Sequence, residues 1–413
     1  MKFKKSKLLL ISAVSPFPME SGGAVRAYHT LKELSKYFEI YYIYFVPSQT
    51  TLAKKDRMMI DSFAFKSYEC QMYYKKTHSF FLDHLIPYWF SDWYLPELSL
   101  LISRIIHTHT ISKVHIDFSQ IFYLIRYIPN TVYVSAGAID ISTVSFWRRL
   151  LENRNIFYFI DHFFKLTQIY LYERKYVKMA NLVTVMSEED DLFLHKLFPD
   201  TSIQSLIVRN GLDIFLDTST TRKIFNRNKP AKNVPIALGF IGSFNHPPNR
   251  EGLKYILYKI IPELKKRGIP YSFYIAGNTH KGEFTQLLYQ SGQLRNNHIH
   301  FLGFVKNVDS FYEQIDVLVA PIFSGSGTRI KILESLGRGI PVISSSIGAE
   351  GVSITSPFLT IRKTADEMVT RIEELRNKSL IKKEDYTELV EQMRTYTWTY
   401  IFKEYAKELE KKD

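Results

Sequence analysis

The hydrophobic positions of this chain fall into short apolar runs separated by stretches of helical, 3.6-residue periodicity. The runs at 7–14, 40–46, 113–117, 131–135 and 181–186 read as strands of a first series. After Gly22-Gly23 a helix is predicted from about Ala24 to Tyr37, with Val25, Tyr28, Leu31 and Leu34 at helical spacing. Ser187 ahead of Glu188, Glu189, Asp190 and Asp191 reads as an N-cap with acids in the first turn, so that cluster is structural rather than a metal site. A second series has strands at 236–242, 271–276, 298–303, 316–320 and 340–344, and helices at about 250–267, 281–290, 307–314 and 328–337. Strands spaced by single helices predict parallel sheets built from βαβ units. Between the series, 217–234 is polar and aperiodic and reads as a linker. The pattern predicts an α/β chain with an N-terminal Rossmann-like domain over 1–216 and a second over 235–390. Both are doubly wound, and they face each other across a cleft. The stretch 364–413 is helical and charged, and 391–413 is predicted to pack back on the N-terminal domain.

Composition narrows the classes. The chain has 413 residues, 46% of them hydrophobic and 23% charged, enough to bury a large core and to exclude a disordered chain. One cysteine, Cys70, excludes an internal disulfide framework and a cysteine-clustered zinc site, and fits a reducing compartment. No run reaches the roughly 18–20 apolar residues of a spanning helix. The start, Met1-Lys-Phe-Lys-Lys-Ser-Lys7 before Leu8–Val14, has the basic-then-apolar look of a signal peptide, but no small-x-small cleavage site follows. It reads as a buried first strand, and the expected location is cytoplasmic.

Charge adds a direction. Lys plus Arg number 54 against 41 Asp plus Glu, a formal +13 spread over both halves, which favours anionic partners. Dispersed lysines and no nucleic-acid motif argue against DNA or RNA as the partner. The segment 63–94 mixes rings with Lys66, Lys75 and Lys76. It reads either as a helical face on the core or as a surface resting on an anionic membrane from the cytoplasmic side.

The candidate chemistry lies beyond the carboxyl ends of strands, where open α/β sheets bind ligands. Gly22-Gly23, Gly242, Gly277 and Gly325/Gly327 all fall there. The segment Asp316–Glu334 starts as a buried strand, turns through Ser324–Gly327 and enters a helix near Thr328. Its glycines allow close backbone approach, and free N–H groups at the helix start point toward an anion. Arg329 and Lys331 add fixed positive charge. Glu334, an acceptor when ionised, suits a ribose diol; the alternative is an i,i+3 pair with Lys331. A second cradle is Gly242–Asn249, with Asn249 as N-cap of a helix from Arg250, the alternative being a plain βα loop.

These pieces resemble one family. "GFIGSFNHPPNREG", "YIAGN" and "IHFLGFVKNVDSFYEQIDVLVAPIFSGSGTRIKILESLGRGIPVISSSIGAEG" are similar to the nucleotide-sugar-binding domain of family 4 glycosyltransferases, which have the GT-B fold. Weaker likeness lies in "SPFPMESGGAVRAYHTLKELSK", "YERKYVKMANLVTVMSEED" and "VRNGLD". The resemblance implies retaining sugar transfer from a nucleoside-diphosphate sugar, with no cofactor and no bound metal. The acceptor would be a glycan or lipid-linked glycan of cell-surface polysaccharide synthesis. It places the donor diphosphate on Gly22, Gly23, Gly242, Asn249, Gly327, Thr328, Arg329 and Lys331, and the donor ribose on Glu334. The first Glu of the family's Glu-x7-Glu motif falls at Ser326, and the family's usual Arg/Lys pair after the 236–242 strand is missing. Asp140 falls where the family's catalytic His-Asp pair places its Asp, but no His precedes it; the alternative is an N-cap. His29 is a second cleft candidate. A nucleotide-sugar epimerase of the same architecture is the alternative enzyme.

Overall fold

The apolar runs fold as two all-parallel sheets. The chain, described by a computed structural model, is given for residues 5–19, 21–72, 86–152, 156–199, 202–213, 234–279, 282–324, 330–377 and 381–411. In chain order the first series is β1 (Lys7–Ser12), α1 (Gly22–Leu34), β2 (Glu39–Val46), α2 (Lys54–Phe63), β3 (Lys66–Gln71), α3 (Leu98–His109), β4 (Lys113–Asp117), β5 (Tyr133–Ala138), α4 (Ser142–Glu152), α5 (Ile156–Val177), β6 (Leu182–Val185), α6 (Glu188–Leu197) and β7 (Ser205–Ile207). The second is β8 (Ile236–Ile241), α7 (Pro247–Tyr255), α8 (Ile261–Lys266), β9 (Tyr271–Ala276), α9 (Glu283–Gln290), β10 (Ile299–Gly303), α10 (Val308–Tyr312), β11 (Val317–Ala320), α11 (Ile330–Leu336), β12 (Val342–Ser344), β13 (Leu359–Ile361), α12 (Ala365–Asn377), α13 (Lys383–Arg394) and α14 (Trp398–Glu410).

The strand orders are β3-β2-β1-β4-β5-β6-β7 and β10-β9-β8-β11-β12-β13. Each order reverses beside its first strand, at β1/β4 and at β8/β11, and those points set the ligand crevices of doubly wound sheets. Helices on both faces explain why β1 reads as an unbroken apolar run: Leu8 to Ile11 are fully buried. Each such side chain contributes roughly 1.5–3 kcal/mol by burial.

The chain divides into a first unit, 1–210 with 398–413, and a second unit, 211–397. The last helix, α14, belongs to the first unit, where Trp398, Phe402 and Tyr405 are buried with Leu31, Leu34 and Tyr42. The second unit runs through α13, seven residues past the expected boundary at 390. Most of the expected linker lies outside the described residues.

Two local expectations change. The helix expected from Arg250 begins at Pro247, and it widens into a π turn at Ile256–Ile260 ahead of Pro262, which has no N–H to continue the ladder. Within the aromatic segment, Lys66–Gln71 is edge strand β3, parallel to β2, and not part of a helical face. Phe90 is buried, Trp93 Nε1 donates to the Ala13 carbonyl at 2.8 Å, and Tyr94 packs on Tyr123 at 5.2 Å, so these three rings serve the core. Phe65 is exposed, while Tyr73, Tyr74, Lys75, Lys76, Phe80 and Phe81 lie outside the described residues. Of the N-terminal lysines, Lys5 and Lys7 donate to the carbonyls of Ser35 and His109.

Candidate active site

The second unit assembles its polar groups where β8 meets β11. The chain leaves β8 at Gly242, and a Cβ there would stand 2.8 Å from Asn249 Nδ2 and 2.9 Å from Lys331 Nζ. Gly277, after β9, is tighter: a Cβ would lie 1.8 Å from the Gly242 carbonyl oxygen. Only side-chain-free backbone fits at either place. Lys331, in the first turn of α11, donates to Asn249 Oδ1 at 2.7 Å and lies 4.8 Å over the Phe240 ring. Asn249 donates to the Ser243 carbonyl at 2.9 Å. Asn249 is therefore not the N-cap: His246 holds that position, and Asn249 sits inside the first turn of α7, orienting the ammonium. The arrangement holds a cation against a backbone that nothing covers with a side chain, which suits an anion. Gly327, Thr328 and Arg329 lie outside the described residues, as does Ser326.

Glu334 is about one turn from the start of that helix and half-buried. Tyr312 Oη lies 3.0 Å from Glu334 Oε2 and 3.2 Å from the Lys331 carbonyl oxygen. Arg338 stacks over the Tyr312 ring at 4.4 Å and donates to the Glu334 carbonyl. Burial pushes the Glu334 carboxyl above its ordinary range, against the Tyr312 hydrogen bond and Arg338, which favour the charged form. Lys331 turns to Asn249 and Glu334 to Tyr312, so the two are not joined as a helix ion pair. Among the described residues Oε1 receives no hydrogen bond, which leaves one acceptor oxygen for a hydroxyl.

In the first unit, Ser21 caps α1 by accepting from Ala24 N at 3.2 Å. A Cβ on Gly22 would meet nothing within 4 Å, and one on Gly23 would touch the Phe118 ring at 3.5 Å. Phe118 follows β4 with φ +80°, a conformation costly for a bulky side chain. Asp140 is exposed after β5 and accepts from Ser145 Oγ at 2.6 Å. It does not cap α4. Glu173 of α5 does, accepting from Ser142 N at 2.9 Å, Thr143 N at 3.1 Å and Thr143 Oγ1 at 2.6 Å. Burial pushes the Glu173 carboxyl up to about 7 despite those donors. His29 is buried and stacks on Trp398 at 4.3 Å, as part of the α1–α14 packing.

A buried polar group beside β1/β4 escaped the sequence reading. Thr30 Oγ1 donates to Asp117 Oδ2 at 3.2 Å, His115 Nε2 stands 3.3 Å from Asp117 Oδ1, and the Tyr405 hydroxyl lies 2.8 Å from His115 Nδ1. Arg26 donates to the carbonyls of Val208 and Arg209 at 2.8 and 2.9 Å. Burial works against the Asp117 charge, but His115, Arg26 and Thr30 together hold its carboxyl below the usual range. The signal was present: Lys113, His115 and Asp117 alternate on one face of a strand, where apolar side chains are the rule. Gly137 belongs to the same packing, since its Cβ would lie 2.5 Å from Asp117 Oδ1.

Among the described residues, no helix is long and apolar enough to cross a membrane, and no group of three or more His, Cys, Asp or Glu is arranged to hold a metal ion.

The two all-parallel sheets, each reversing its strand order beside its first strand, define a doubly wound two-sheet protein of the GT-B fold. Within its second unit, residues 235–378 match the family model described as Glycosyl transferases group 1. Over its whole length the chain is similar to the glycosyltransferase WaaG, involved in lipopolysaccharide biosynthesis, at TM-score 0.59 and 12% identity, covering 96% of this chain and 98% of that one. It is also similar to HepE of Anabaena in complex with UDP, at TM-score 0.61 and 14% identity, covering 98% and 100%. An uncharacterised 44.6 kDa protein in the cps region of Klebsiella pneumoniae is 27% identical over 114 residues, 27% of this chain and 29% of that relative's length.

Proposed function

We propose that this protein is a retaining, family 4-like glycosyltransferase that moves a sugar from a nucleoside-diphosphate sugar to a glycan or lipid-linked acceptor of cell-surface polysaccharide synthesis. The observation that carries the reading is the Lys331 ammonium, fixed by Asn249 over Gly242 at the β8/β11 reversal of a group 1 domain. The UDP bound to HepE supports a nucleoside diphosphate as the anion. WaaG and the Klebsiella relative support a polysaccharide product.

In this reading Lys331 and Arg329 neutralise the diphosphate as it leaves, and the amide ends at Gly242 and at Gly327-Thr328 line it. Glu334 holds the ribose through the oxygen that Tyr312 leaves open. Gly22 and Gly23 keep the approach to the donor clear of side chains. The leaving diphosphate itself takes the proton of the acceptor hydroxyl on the face it departs from, so no carboxylate nucleophile is required. Asp140 is then a positioning group for the acceptor. Charge neutralisation by side chains makes the reaction independent of divalent metal and of any cofactor. The basic, aromatic first unit works against the anionic cytoplasmic face of a membrane.

None of the comparisons supports an epimerase. Incubation with a panel of labelled nucleotide sugars and a membrane-derived acceptor, with and without EDTA, tests the reading. Transfer unaffected by EDTA with anomeric configuration retained is the expected result. Donor isomerised without acceptor, inverted product, or activity lost to EDTA and restored by Mg²⁺ overturns the corresponding part.

A further inference from the structure

A cavity of about 480 Å³ opens in the first unit among α4, α5 and α6, within the ~300–1,000 Å³ range of small-molecule sites. Val144 and Trp147 of α4, Leu166 and Tyr170 of α5, and Phe193 and Leu197 of α6 give it an apolar wall. The apolar row continues outward: Phe163 precedes Thr167 by one turn on the same face of α5, and Phe163 and Phe164 are 48% and 67% exposed. Trp147 is itself 48% exposed. An open hollow that continues into an uncovered aromatic row fits a long flexible apolar chain better than a compact ligand, which would leave the row in water.

Charge at the cavity is of one sign. Lys196 is the charged residue of the wall and is exposed at its rim. The segment 142–178 that forms α4 and α5 carries seven basic and three acidic residues. The inner end is held still, because Thr143 lines the cavity with both its N–H and its hydroxyl bound to buried Glu173. Thr143 is three residues from Asp140, on the loop that leaves the carboxyl end of β5.

We propose that this cavity binds the apolar chain of an anionic lipid, with Lys196 pairing its phosphate, and so selects a lipid-linked acceptor over a free glycan. The word acceptor rests on the glycosyltransferase reading; the binding itself does not. Each methylene taken into the cavity multiplies affinity about fourfold.

Calorimetry with butyl and octyl phosphate below micelle-forming concentrations tests this, with UDP affinity and melting temperature measured in parallel. Octyl phosphate is expected to bind at least tenfold tighter than butyl phosphate. Thr167→Trp, which fills the mouth from an exposed position, and Trp147→Glu, which charges the wall, each lower octyl phosphate affinity at least tenfold and leave UDP affinity unchanged. Lys196→Glu weakens octyl phosphate about fivefold and leaves octyl glucoside alone. Equal affinity for both chain lengths, or octyl phosphate binding undiminished in a folded Thr167→Trp and Trp147→Glu, overturns the proposal. Failure of the parent chain to bind any of UDP, GDP, ADP and dTDP would instead break the glycosyltransferase reading. Chain-length-dependent binding without sugar transfer would do the same, and the lipid site would stand.

Discussion

At β1/β4 the first unit surrounds Asp117 with Thr30, His115 and the nearby Arg26 guanidinium, all at or near zero exposure, and closes the group with Tyr405 of the last helix. At β8/β11 the second unit leaves Lys331 partly exposed, bonded to Asn249 and lying over the Phe240 ring, with bare backbone beside it. The same topological position thus serves opposite ends. A buried charge enclosed by an opposite charge and polar neighbours fixes packing; an ammonium has three donors, so one that remains partly exposed can turn toward an incoming anion. The difference lies in what covers the strand ends: a helix carrying Trp398, Phe402 and Tyr405 in one unit, glycine turns in the other.

The comparison breaks most visibly at Asp117. Asp117→Ala leaves Arg26 buried without its compensating charge and should cost about 3–5 kcal/mol, read as a lower denaturant midpoint. A midpoint equal to that of the parent chain would show that the buried group does not hold the first unit together.

Next in size is Lys331→Ala. A charge-assisted hydrogen bond of about 1.5–3 kcal/mol disappears from the anion, so UDP affinity should fall roughly ten- to a hundredfold by calorimetry, with the denaturant midpoint nearly unchanged. Lost stability with unchanged UDP affinity would make Lys331 the structural cation and erase the contrast.

Glu334→Gln sharpens the same site at about 1 kcal/mol. The amide oxygen can still accept from Tyr312, so the fold stays, while the bond to a ribose hydroxyl weakens and UDP affinity drops about fivefold. Deoxyuridine diphosphate lacking the 2′ hydroxyl should then bind parent and variant alike; if it discriminates them as strongly as UDP does, Glu334 does not hold the ribose.

The smallest effect is a pH slope. Glu173 has a folded-state value near 7, above that of the unfolded chain, so its contribution is fully present below the unfolded value of about 4.3 and is lost as pH rises through 7. Parent stability should decline between about pH 5 and 8 relative to Glu173→Gln, read as a slope in the denaturant midpoint against pH. Parallel curves would mean that Glu173 is ionised throughout.

Much of the fold was legible because strands buried on both faces are mostly apolar, as in Leu8–Ile11 and Val317–Ala320. The edge strand β3, Lys-Ser-Tyr-Glu-Cys-Gln, lacked that signal because it is only half covered, and the rings of the segment around it drew it into a helical reading. Gly242 and Lys331 were legible as turn and helix-start residues. Their convergence was expected only through the resemblance to a family.

The sequence by itself determined the two alternating series, the glycine turns at strand ends and the Ser187 cap, since each depends on local periodicity or on a residue's own backbone preferences. Only the tertiary structure decided which partner each polar side chain takes. Asn249 left the capping position because α7 begins at Pro247, the cap of α4 went to Glu173 from thirty residues away, Asp117 found Thr30 and Arg26 on α1, and His115 found Tyr405 on α14. Such pairings join groups distant in sequence. Their energy comes from burial that exists only once both sheets have formed, so no local pattern along the chain encodes them.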